Sequence, residues 1–275
     1  MKKTIAFLAT FAFAVSALHA ADAKPLKILL ITGGCCHDYA KQKDILKKGI
    51  EERINAEVVQ VHTDDKSTHP PLAFLGNPDY AKGFDLIIHD ECAADIKDAK
   101  LVEGVLAPHR EGIPGVNLHC AMHCYRVGDP NKPQTPGTPE ALWFDYLGLQ
   151  SSGHGAQLPI TVTVLDEKNP ITSSIVGWVT MKEELYNNRQ ITTGKALARG
   201  KQEPGDKPGV NDTVVVWTNE YGAKKTKVFS TTIGHNNATV EDPKYLDLVV
   251  HGILWATDKM DASGKPVAGY EAKKK

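Results

Sequence analysis

The chain has 275 residues, 24% of them charged, with 32 Lys+Arg against 33 Asp+Glu. Without Lys2 and Lys3 at the start the balance is 30 against 33, a formal charge of −3. Neither sign dominates, so nucleic acid and anionic membrane surfaces have no electrostatic footing, and a neutral small molecule is the expected partner.

Lys2 and Lys3 precede an apolar run from Ile5 to Val15 and then small residues. That is the pattern of a secretory signal peptide, too short for a membrane span. We place the leader at residues 1–23, one α/β domain at 24–258 and a solvated, Lys-rich tail at 259–275. The protein is therefore expected in the periplasm or secreted, where disulfides persist. Five cysteines follow the leader, an odd number, so at least one is free, metal-bound or paired between chains. Cys35 and Cys36 are adjacent, a pairing that disulfide geometry disfavours, whereas Cys120 and Cys124 could meet on one helical turn.

Pro25 to Ile31 reads as a buried parallel strand ending at Gly33 and Gly34. Ile45, Leu46, Ile50 and Ile54 then recur at helical spacing. Glu57 to His62 alternates as a second strand, and Phe84 to His89 reads as a third. Asp95 is a candidate cap for a helix whose core face is Leu101, Val102, Val105 and Leu106. A fourth strand, Ile113 to Leu118, ends in His119, Cys120, His123 and Cys124. Strands separated by helical patterns of this length predict a doubly wound, mostly parallel sheet.

Beyond this corner the proline-rich segment from Gly128 to Pro139 is expected to overhang the site. A short aromatic helix (Ala141 to Leu149) and strands at Pro159 to Leu165 and Val179 to Tyr186 follow. Gly200 to Gly209 reads as a loop. Thr213 to Thr218 and Lys227 to Ile233 form a hairpin, and Pro243 opens the last helix.

Ligands of open α/β sheets bind beyond the carboxyl ends of the strands. Four strand ends here are chemically loaded: Cys35 to Asp38, His89 to Cys92, His119 to Cys124, and His235 with Asn236. Three chemistries compete. Cys120 at a strand-to-helix corner, with His235 as base, would be a thiol nucleophile, although Asn237 stands where an orienting carboxylate is usual. Imidazoles and carboxylates would suit zinc, copper or iron, but no compact metal motif is present, so no residue is assigned as a ligand and the cofactor stays open between none and a divalent metal. A sugar would use Asp38, His119, Glu184, Tyr186, Glu220, His235 and Asn236 as hydrogen-bonding groups. Trp143, Trp178 or Trp217 would serve as an apolar platform, and Glu184 with Glu220 as the acid–base pair.

The strand ending in Gly33-Gly34 followed by His37 and Asp38, and the strand ending in His119, resemble the ThuA-like (trehalose utilisation) family. So do Met181 to Tyr186, Trp217 to Gly222, Gly234-His235, and His251 to Ala256. The resemblance implies a flavodoxin-like fold of the class I glutamine amidotransferase-like type and a role with trehalose-type or 3-keto sugars. By position it implies a pocket of His37, Asp38, His119, Glu184, Tyr186, Glu220 and His235. Cys120 departs from the family, which usually has a small residue there. We therefore expect an exported carbohydrate-processing protein, with His119, His235, Glu184, Glu220 and Cys120 as candidate catalytic groups. His37, Asp38, Tyr186 and Asn236 are the candidate substrate-binding groups. The alternatives are a non-catalytic sugar-binding accessory protein and a Cys120-dependent amidohydrolase. The oligomeric state is left open.

Overall fold

A computed structural model describes residues 23–203 and 212–273. The expected leader, Ala23 apart, lies outside them, as does most of the loop placed at 200–209. The strands are β1 (Leu26–Gly34), β2 (Ala56–Thr63), β3 (Leu86–Cys92), β4 (Gly115–Leu118), β5 (Leu149–Val164), β6 (Val179–Ile191), β7 (Lys195–Lys201), β8 (Asp212–Tyr221) and β9 (Thr226–Thr231). The helices are α1 (Tyr39–Glu51), α2 (Ala99–Arg110), α3 (Leu142–Leu147), α4 (Asn237–Val240) and α5 (Pro243–Ala256).

All nine strands join one sheet in the order β2-β1-β3-β4-β9-β8-β7-β5-β6. The first five are parallel, an order that is flavodoxin-like once β9 is counted as the fifth strand. The other four pairings are antiparallel. The sheet is therefore mixed, which corrects the expectation of a mostly parallel one. The reason is local: the β8–β9 connection is a tight turn through Gly222, and a turn that short can join only antiparallel neighbours.

Each face of the sheet carries its own core. Leu46 and Ile50 of α1 and Leu248, Val249 and Ile253 of α5 pack with Ile28 and Leu30 on one side. On the other, Val102, Val105 and Leu106 of α2 and Trp143 and Tyr146 of α3 pack with Leu29, Ile31 and Ile87. The alternation along β1 thus feeds both faces, which is why it reads as continuously apolar. Each fully buried aliphatic side chain stabilises by about 1.5–3 kcal/mol. All three tryptophans proposed as a sugar platform are buried core residues. The indoles of Trp143 and Trp217 donate to the carbonyls of Ala121 and Leu147.

Two further expectations are revised. Asp98, not Asp95, caps α2, its carboxylate accepting from Leu101 N at 2.9 Å, while Asp95 bonds Thr68. The described part of the segment after Met260, residues 261–273, is not free in solvent. Asn55 N donates to the Tyr270 carbonyl at 2.9 Å, Glu271 bridges Ile54, and Tyr270 packs against the core. No helix among the described residues is long and apolar enough to cross a membrane.

Gly34 shows how tightly the site edge of the sheet is built. Its φ of +98° lies in the region that favours glycine, and a Cβ would fall 2.2 Å from the Cys92 carbonyl oxygen. Neither strand can yield, because β1 pairs on both sides. Gly34→Ala should therefore cost roughly 3 kcal/mol through backbone strain and overpacking. A urea midpoint unchanged from the parent would contradict this.

Candidate functional site

Three loops at the carboxyl edge of the parallel strands deliver three histidines to one point. His37 follows β1, His119 follows β4, and His235 follows β9. Their ring centroids lie 4.7 Å (His37–His119), 4.8 Å (His37–His235) and 5.5 Å (His119–His235) apart. One ligating atom from each lies within 4.8 Å of the others. Two of the rings are pinned from behind. His37 Nδ1 donates to the His235 carbonyl at 3.1 Å, and His119 Nδ1 donates to the Thr232 carbonyl at 2.6 Å. A carbonyl can only accept, so both rings carry a proton on Nδ1 and turn Nε2 inward.

The fourth group comes from the antiparallel half. Glu184 and Tyr186 lie two apart on β6 and so share a face. Glu184 Oε2 is 3.4 Å from His119 Nε2 and 3.5 Å from His154 Nε2, and its Oε1 is 3.3 Å from His235 Nδ1. The Tyr186 hydroxyl lies 3.2 Å from His119 Nε2, and its ring stacks on His123 at 4.2 Å. Glu183 faces the other way and accepts from the backbone N–H groups of Gly234 and His235 at 3.0–3.2 Å. The two adjacent glutamates therefore have separate jobs: one enters the histidine cluster, the other fixes the loop that carries His235. Gln42 adds a bond to the His235 carbonyl at 3.2 Å. Sequence reasoning passed over Glu183 and Gln42 as positioning groups.

The electrostatics divide the cluster. Burial, then the neighbouring His119 and His235, pushes His37 down to about 3, so this ring stays neutral. Glu184, by hydrogen bonding and charge against the opposing effect of burial, raises His235 above its ordinary value. Burial opposes ionisation of Glu184 itself, but His119 and His235 outweigh it and hold the carboxyl well below the usual range. Groups pushed apart in this way make an acid and an acceptor from one residue type. His119 also has a φ of +41°, a strained value for a residue with a Cβ.

An open hollow of about 440 Å³ lies over His37 and His235 and is lined also by Cys36, Asp38, Lys66, Asn236 and Asn237. Asp38 sits at its exposed rim, bonded to Asn237 at 2.8 Å. Asn236 lines the hollow, but its side chain is engaged by Thr239 N and the Lys182 carbonyl. A larger hollow of about 740 Å³, lined by Lys24, Lys27, Asp85 and Lys259 among others, lies at the opposite edge and holds no comparable cluster.

Other expected residues are elsewhere. Glu220 is exposed near the start of β9, paired with Lys225 at 3.5 Å, because β8 runs antiparallel and carries its end to the far edge. Cys120 is buried with Tyr39 and Cys92, its sulfur 2.7 Å from that of Cys92. That contact and burial push its thiol up, the reverse of an activated nucleophile. Cys35 and Cys36 are joined as a vicinal disulfide, contrary to expectation, and Cys92, Cys120 and Cys124 are free. His89 points into the α2/α3 face, between Glu91 and His109. The proline-rich loop is tied to the base of the β5–β6 ribbon through Gln134, Gln150 and Gln190, and contributes no lining residue to the hollow.

Fold and site together define a mixed-sheet α/β protein with a histidine–carboxylate centre at the sheet's carboxyl edge. The chain belongs to the ThuA family, described as trehalose utilisation, whose model matches residues 27–256. That membership gives a carbohydrate-related context. Among solved structures it is similar to a ThuA-like protein from Parabacteroides merdae ATCC 43184, at 19% identity and TM-score 0.61, covering 89% of this chain and 92% of that one. It is also similar to one from Bacteroides uniformis ATCC 8492, at 18% identity and TM-score 0.58, covering 95% and 99%. At these identities the likeness concerns the fold. No curated protein matches the chain.

Proposed function

We propose that this is an exported carbohydrate-processing protein that acts on trehalose-type or 3-keto sugars through the His/Glu centre. The observation that carries the reading is Glu184 lying within 3.5 Å of three imidazoles. A keto group makes the neighbouring C–H acidic, so proton transfer between carbon and an imidazole is the chemistry such a substrate asks for. His235, favoured in its charged form by Glu184, would donate a proton. His37, held neutral, and His119 would accept one. The hollow is within the range of small-molecule sites, about 300–1,000 Å³. Family membership supports a sugar as the occupant. The charged n-region and apolar run of residues 2–15 support export.

Keto- and parent disaccharides should be screened by thermal stabilisation, since a ligand at 100 times its Kd adds about 2.7 kcal/mol. Turnover of a 3-keto-glucoside should fall at least about 100-fold in His235→Ala while binding persists. Binding with no turnover by the parent chain would instead make it a sugar-binding accessory protein.

A further inference from the structure

We propose that His37, His119 and His235 form a divalent-metal site, with Glu184 as the adjoining carboxylate. This deepens the reading above, on which it rests only for the identity of the working centre.

His119 Nδ1 must give its proton to the Thr232 carbonyl, so in the neutral ring Nε2 is a lone pair. That lone pair can accept from the Tyr186 hydroxyl at 3.2 Å, but it also faces a carboxylate oxygen at 3.4 Å, a contact that a cation between the two would turn from repulsive to attractive. His37 is tied in the same way through Nδ1 to a backbone carbonyl, which leaves its Nε2 as an acceptor. His235 Nδ1 is buried and faces only Glu184 Oε1, at 3.3 Å. Imidazole nitrogens from three loops and a carboxylate thus converge on one point, with the Tyr186 hydroxyl at 3.2 Å from His119 Nε2 and Gln157 Nε2 at 3.4 Å from Glu184 as neighbouring donors.

Rings that donate one nitrogen to a backbone carbonyl and present the other are the usual support for metal-bound histidine. Three imidazoles, His235 giving up its proton as the ion binds, and a carboxylate suit zinc or another late first-row ion. The nitrogens now spread over as much as 4.8 Å. A tetrahedral zinc, with bonds of roughly 2.1 Å, would draw them closer. His37 and His235 are only half-buried at the rim of the hollow, so they have room to turn. Bound there, the ion would polarise a carbonyl or hydroxyl oxygen of the sugar.

The neighbouring Cys92, joined by Cys35 and Cys36 once their disulfide is reduced, could also gather an ion, so the probe must report its ligands. Metal-stripped full-length protein titrated with Co²⁺ should take up one equivalent, with visible bands of a low-coordinate ion and no near-ultraviolet thiolate charge-transfer band. Elemental analysis after Zn²⁺ loading should give the same stoichiometry. His37→Gln, at a half-exposed position, should weaken binding at least 100-fold, and Glu184→Gln roughly 10–100-fold, whereas Cys92→Ala should leave it unchanged. No uptake beyond that of His37→Gln would overturn the site and mean that a proton alone sits between the rings. A strong thiolate band lost in Cys92→Ala would overturn it in favour of the cysteines. One bound ion without keto-sugar turnover would keep the metal site and remove the sugar reading. Turnover by a chain that takes up no metal would do the reverse.

Discussion

Glu184→Gln should leave the fold intact and lower keto-sugar turnover by about 10²–10⁴-fold, the range for losing a positioned proton-transfer group. Its side chain reaches across the site to His119, His154 and His235 and accepts from Gln157 Nε2 at 3.4 Å, and a Gln side chain has the same length. What it lacks is the charge. With Glu184 gone, the main cause of the raised His235 value disappears and burial, which lowers it, is left. If protonated His235 is the acid, the alkaline limb of kcat/KM must move to lower pH in the variant. Glu220→Gln is the matched control and should do nothing, because Glu220 is exposed beside Lys225. Near-wild-type turnover in Glu184→Gln, or equal losses in both variants, would remove the carboxylate from the chemistry.

The contrast between Glu184 and Glu220 marks where the sequence could be read and where it could not. Residues after parallel strands are easy to locate, since every such strand ends at the same edge. His37, His119 and His235 follow that rule and meet. Glu220 lies on a strand whose direction is set by a hairpin, and direction decides which edge a strand's end reaches. Alternation along β6 separates Glu183 from Glu184. Which face meets the histidines depends on the register with β5, and that pairing shifts at Ser151, His154 and Gln157. Irregular register of this kind leaves no trace in composition or periodicity. Cys120 failed for a different reason. Its place beside the corner is right, but the strained position is taken by His119, and the thiol turns back toward Cys92. The vicinal Cys35–Cys36 bond was missed because general disulfide geometry argues against neighbours, while the loop after β1 carries Cys36 at a φ of +83°.

The core makes its own claim, on stability against acid. His109 is buried; burial first and His89 second push it down to about 3. Its Nδ1 donates to the Ile113 carbonyl at 2.7 Å, so its Nε2 serves as acceptor toward His89 Nε2 at 3.2 Å. A second proton on His109 would replace that bond with two N–H groups face to face. The unfolded chain has no such constraint and binds the proton near 6.5. Below that pH the unfolded state holds a proton the folded state refuses, so stability is complete above 6.5 and drains as the pH falls toward 3. Between pH 7 and 5 this single residue should remove about 2 kcal/mol. His123, lowered by burial, acts in the same direction. Glu184 shares the sign, but its loss falls at lower pH, because its carboxyl lies below the ordinary carboxylate range. His235 has the opposite sign, and its window opens only above 6.5. Urea unfolding at stepped pH should therefore show a falling midpoint from pH 7 to 5. His109→Gln, although less stable at neutral pH, should lose about 2 kcal/mol less over the same interval. Parallel curves for the two proteins would mean that His109 takes up its proton without unfolding and that the buried imidazole pair is not the acid-sensitive element of the core.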